Sequence, residues 1–232
     1  MIPYSEQGPV PAPRSEDDVY ALLLSITEDY GIEFAYPLEW QPTTVQEVML
    51  FNDYLTVIDR AFQQCAHYLH YFSRAPQDMT PEQFFRQHFD RANIRIDRVT
   101  EDVGVYGTRL LLINEFGEQV YMLQVAPNAM TATFPIVREL GHIMNDLLDS
   151  VPVEDFKVGL GGSQQGDVWQ PGMGYAGYEA LFPGATISVS EDYEDTFGRM
   201  LTGELSLDVA SERYLFMLDN LPGWLVALRS LP

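Results

Sequence analysis

Cysteine and lysine are almost absent from this chain of 232 residues. A single cysteine, Cys65, excludes an internal disulfide and any zinc site built on paired thiolates. Its place on the apolar side of a helical pattern reads as core packing. A single lysine, Lys157, stands among 13 basic residues, against 34 acidic ones, for a net charge of −21. A field of that sign repels phosphate backbones and anionic lipid, so neither nucleic acid nor membrane is expected as a partner. No stretch approaches the ~18 consecutive apolar residues of a membrane span. The first residues, Met1 to Glu6, lack the basic and apolar regions of a signal peptide. The expectation is a soluble protein, intracellular or particle-associated.

What the chain has is core material: 46% hydrophobic and 12% aromatic residues, with 20% charged. That composition fits a folded domain rather than a disordered chain. Residues 1–14, with Pro3, Pro9, Pro11 and Pro13, read as an extended arm. Ser15 and the acids behind it cap a helix that Gly31 ends, and Ile32 to Tyr36 alternates like a short strand. Thr43-Thr44 opens the longest helical pattern, Val45 to Phe72. Thr80-Pro81 opens a shorter helix to about Phe89.

From residue 93 the pattern changes to strands. Ile94–Val99, Arg109–Asn114 and Gln119–Val125 predict a small, largely antiparallel sheet, with Glu115 to Glu118 as a hairpin loop. Thr131 or Thr133 caps the next helix, which runs to about Leu148. Residues 159–177 hold seven glycines and read as one long loop. Within and beside it, Trp169, Tyr175 and Tyr178 are candidate aromatic contacts for a partner. Ser190 to Tyr193 starts a further helix, and two stretches near 207–218 and 224–231 close the chain. His67 and His70 read as half-buried packing beside Tyr68 and Tyr71, and His88 as a surface or helix-end residue.

The segment that carries chemistry is Ile136 to Asn145. Residues four apart share a helix face, so Arg138 and His142 project together, with Glu139 one step round. Zinc peptidases use His-Glu-x-x-His on such a helix: two imidazoles hold the metal and the glutamate activates its water.

Glu139-Leu140-Gly141-His142 resembles the Glu-Leu-Gly-His of gluzincin-type zinc metallopeptidases. Downstream, Ser190 to Phe197 is similar to the second helix of their lethal-factor-like branch. The resemblance spans roughly residues 93–203. It implies an α+β, zincin-like core over 91–205, behind a helical region at 15–90 and before C-terminal helices at 206–232. It also implies Glu139 as general base, with His142 and Asp195 at metal-ligand positions.

One departure outweighs the match: Arg138 stands where the first metal-binding histidine belongs. A guanidinium keeps its proton and has no lone pair to give. A catalytic zinc site needs three protein ligands. The reading is therefore a degenerate metallopeptidase without a cofactor, in which Arg138 supplies the positive charge that Glu139 and Asp195 would otherwise lack. Such a protein serves as a binding or structural module, with protein partners that present basic surfaces. The alternative is an active zinc peptidase using His142, Asp195 and a third group such as Glu191 or Glu194. A third reading makes 136–145 an ordinary amphipathic helix with no cleft beside it.

Overall fold

The computed structural model describes residues 15–73, 78–129, 132–166, 168–175 and 188–231, apart from the side chain of Pro37. The expected arm at 1–14, Thr131 and Tyr178 lie outside these residues.

Three helices form the first third. α1 (Glu16–Tyr30) opens on a capping box between Ser15 and Asp18 and closes on Gly31, whose φ of 69° is the left-handed turn that favours glycine. α2 (Val45–Phe72) and α3 (Pro81–Phe89) open on equivalent boxes, Thr44 with Glu47 and Thr80 with Gln83. Between α1 and α2 lie a two-residue strand, β1 (Glu33–Phe34), and a 3-10 turn at Pro37–Trp40.

The sheet follows: β2 (Ile94–Arg98), β3 (Thr108–Glu115) and β4 (Glu118–Val125), in the order β1-β2-β4-β3. It is mixed rather than largely antiparallel. β1 with β2 and β2 with β4 run parallel, and only the β3–β4 hairpin is antiparallel. The hairpin signal, Phe116 and Gly117 both at positive φ, reveals only the local pairing. That β4 inserts between β2 and β3 depends on burying Ile96 and Leu123 together against the helices. β3 is left as an edge.

α4 (Phe134–Leu147) then crosses to the sheet. Thr133 stands at its N-cap without bonding a helix N–H; its hydroxyl donates to Gln64 Oε1 on α2 instead. α5 (Val151–Leu160), which the sequence reading does not contain, precedes a small exposed hairpin, β5 (Ser163–Gln165) and β6 (Val168–Gln170). The glycine-rich loop is thus partly ordered structure. α6 (Val189–Leu201) is capped by Ser188, two residues before the expected Ser190. α7 (Ser211–Arg229) is one continuous helix through Pro222, not two.

Buried residues from α1 to α7 form one contiguous cluster, so the helical region at 15–90 shares its core with the sheet. Cys65 is buried in it, where burial pushes its thiol pKa up. His67 and His70 set their rings edge-on to Tyr68 and Phe84. No described helix is long and apolar enough to cross a membrane.

Asp59 on α2 is half-buried in this region. Burial, then the nearby charges of Asp29 and Glu82, push its pKa up to about 6, against the pull of Arg60. The folded state therefore holds more protons than the unfolded chain between about pH 4 and 6, and stability falls as pH rises through that window. Asp59→Asn is expected to stabilise the protein at pH 7.5 by about 1 kcal/mol, after allowance for solvent screening. The gain should vanish near pH 4. Thermal melts of the two proteins across that range check it.

Candidate functional site

Two glycines bring α4 and α6 together. A Cβ on Gly141 would lie 2.7 Å from the Phe197 ring, and one on Gly198 would lie 2.9 Å from the Phe134 ring and 3.2 Å from Arg138 Cα. Phe197 and Phe134 are buried and have no room to retreat. This close approach lets one side chain on α4 reach two consecutive residues of α6.

That side chain is Arg138. Its Nε donates to Asp195 Oδ1 at 2.5 Å, Nη2 lies 2.8 Å from Glu194 Oε2, and Nη1 donates to Glu139 Oε1 at 3.3 Å. The guanidinium also lies over the Tyr106 ring, 5.2 Å from its centre. Each carboxylate has further support. Tyr106 donates to Asp195 Oδ2 at 3.0 Å, Thr108 of β3 to Glu139 Oε1 at 3.0 Å, and Ser190 to Glu194 Oε1 at 2.8 Å. His142 Nδ1 lies 3.0 Å from the same Glu194 oxygen.

The electrostatics follow from burial and partners. Burial raises the pKa of Glu139 and of Asp195, and the charge of Arg138 only partly offsets it. Burial also acts upward on Glu194, but the bond with His142 and the charge of Arg138 outweigh it and leave that carboxyl low. The bond with Glu194 raises His142. For Arg138, burial works against the charge and the three carboxylates overcome it, so the guanidinium stays ionised.

The four residues named from the sequence, Arg138, Glu139, His142 and Asp195, therefore meet in one place. The partner of His142 is Glu194, however, not Asp195. Glu191 sits at the mouth, bonded to the Ser188 hydroxyl at 2.9 Å. Tyr106, Thr108 and Ser190 are members that no local pattern marks, since they arrive from a loop, the sheet edge and a helix start.

An open cleft of about 390 Å³ lies over this cluster. Its walls are Thr108 to Leu110 of β3, the Arg138–His142 face of α4 and the first turns of α6. His142 is the cluster member that opens to it, with a side chain 47% exposed.

The residues do not fit a zinc ion. The guanidinium fills the space between the three carboxylates and offers no lone pair. Among the described residues, no group of three or more His, Cys, Asp or Glu is arranged to hold a metal.

The aromatic candidates stand elsewhere. Trp169 is 3% exposed, and its indole N–H donates to Asp192 Oδ2 at 2.9 Å. It anchors β6 to α6 instead of offering contact area. Asp192 is also gripped by Arg213 of α7, Nη1 to Oδ1 at 2.5 Å and Nη2 to Oδ2 at 3.1 Å, with Thr196 bonded to the same Nη1 at 2.8 Å. Tyr175 lies against that guanidinium, 5.4 Å from ring centre. Asp192 and Asp195 share α6, so this second network holds the helix that carries the first.

Comparison with family models, with curated proteins and with solved structures gives no match to this chain.

Proposed function

We propose that the protein is a zincin-like domain that has exchanged its metal for an arginine, and that it works as a binding or assembly module rather than as a peptidase. The observation that carries this reading is the pinning of one guanidinium by Glu139, Glu194 and Asp195 across two helices. The charge that a metal would supply is already present, tethered and satisfied. Glu139, at the general-base position, is buried, and its Oε1 is already engaged by Thr108 and Arg138, which competes with any water it would activate.

The cleft remains as a surface for a partner. β3 borders it as a sheet edge whose free backbone groups suit an extended segment. Leu112 and the hairpin-tip residue Phe116 are exposed along the same strand and turn. With a net charge of −21, basic side chains on that segment are favoured.

Elemental analysis of protein dialysed against metal-free buffer and then supplied with zinc tests the reading. The wild type should hold less than about a tenth of an equivalent, and peptide hydrolysis should be absent. Arg138→His, which restores an imidazole four residues before His142, should raise the retained zinc towards one equivalent. A wild type that keeps one equivalent and loses peptidase activity with Glu139→Gln would overturn the reading in favour of an active enzyme. A variant that folds but takes up no zinc would overturn the zincin geometry.

A further inference from the structure

A second pocket, of about 470 Å³, lies between the end of α2, α3 and α7 and shares no residue with the cleft. Its volume is in the range of small-molecule sites. Met79, Phe84, Leu225 and Val226 give it apolar walls. Pro222, which cannot close the helical ladder of α7, forms part of the same wall.

Its polar lining residues are Ser73, Gln87, His88, Arg229 and Ser230. In a chain with 34 acidic residues, the lining holds, among the described residues, no carboxylate and one cation, Arg229. Among the described residues Arg229 has no ion-pair partner. His88 corrects the surface reading: it is 7% exposed, with its ring 4.1 Å from that of Phe84. Its Nδ1 lies 2.8 Å from the Phe84 carbonyl, which can only accept, so Nδ1 carries the proton. Burial lowers the pKa of the ring and keeps it neutral. Nε2 is then an acceptor in the pocket wall, and no described group donates to it. Among the described residues, an imidazole acceptor at the pocket wall, apolar walls and a cation without an ion-pair partner together suit an amphipathic anion.

We propose that this pocket binds an amphipathic monocarboxylate that carries one N–H or O–H donor. The carboxylate pairs with Arg229, the donor meets His88 Nε2, and the apolar body lies against Met79, Phe84 and Leu225. Among the described residues no carboxylate lines the pocket, which makes it locally tolerant of an anion that the acidic chain otherwise repels.

Calorimetric titration of the intact protein with indole-3-acetate tests this, because that probe has a carboxylate, an apolar body and a ring N–H. A Kd on the order of 0.1 mM is expected for a ligand of that size. Indole-3-acetamide, without the charge, and 1-methylindole-3-acetate, without the donor, should each bind about tenfold more weakly. Arg229→Gln should weaken the acetate by a similar factor. Val226→Trp, at a position 67% exposed, should fill the pocket and abolish binding without disturbing the core. Failure of the wild type to bind at millimolar probe would overturn the proposal. So would binding that survives both variants, or that treats the acid and the amide alike.

Discussion

Arg138→Met is expected to lower stability at pH 7.5 by about 3–5 kcal/mol, the usual result of leaving a buried charge without its partner. Here three carboxylates lose the same cation, and Glu139, Glu194 and Asp195 are all buried. The loss should depend on pH. Burial already raises Glu139 and Asp195 with the guanidinium present, and its removal raises them further. The folded variant then binds more protons than its unfolded chain at pH values between the unfolded carboxyl pKa, about 4, and the raised folded values. Its stability falls as pH rises through that window, and the gap to wild type is smallest near pH 5. Arg138→Lys restores the charge but is a point donor on a flexible stem. It cannot reach three carboxylates at once and should recover only part of the loss. Denaturant unfolding of the three proteins at pH 5 and 7.5 measures this. A gap that is small at pH 7.5, or that widens on acidification, would show that the cluster is not held by the guanidinium.

Arg213→Met is expected to cost a similar amount, about 3–5 kcal/mol, for the same reason in a drier place. Arg213 and Asp192 are both 0% exposed in their side chains, and their two-pronged contact is shared with Thr196 and Trp169. The variant strands a buried carboxylate, whose Oδ2 still accepts from the Trp169 indole. Tryptophan emission of the folded variant should stay close to native, since Trp40, Trp169 and Trp224 are buried and Trp169 keeps its acceptor. The double variant Arg213→Met with Asp192→Leu removes both charges and should regain most of the stability. If the double variant is as unstable as the single one, packing of the arginine stem rather than the ion pair carries the effect. A red shift should appear in the double variant, because only there does Trp169 lose its acceptor.

Much of the candidate site was legible because helical spacing is local. Arg138, Glu139 and His142 lie on neighbouring positions of one helix, and an α-helix places such residues together whatever surrounds it. The acidic run of α6 was also visible, as was the need of Glu139 and Asp195 for a positive charge. Which acid meets His142 was not visible. Glu194 and Asp195 are adjacent, and the choice depends on the rotation of α6 about its axis, which Gly198 against Phe134 and the grip of Arg213 on Asp192 decide. Trp169 shows the opposite error. An aromatic residue among glycines reads as surface, yet Gly162 leaves room for its ring, since a Cβ there would lie 2.1 Å from it. Asp192 then supplies a buried acceptor for the indole.

By itself the sequence determined the caps and spans of α1, α2 and α3, the β3–β4 hairpin and the shared face of Arg138 and His142. Each depends on residues within a few positions of one another, and steric and capping preferences act at that range. It also determined the formal net charge of the chain. Only the tertiary structure decided the parallel insertion of β4 beside β2, the joining of α4 to α6 through two glycines, and the burial of Trp169 and His88. Those outcomes depend on which apolar faces cover each other and on whether each buried polar atom finds a partner. Both are properties of contacts distant in the chain.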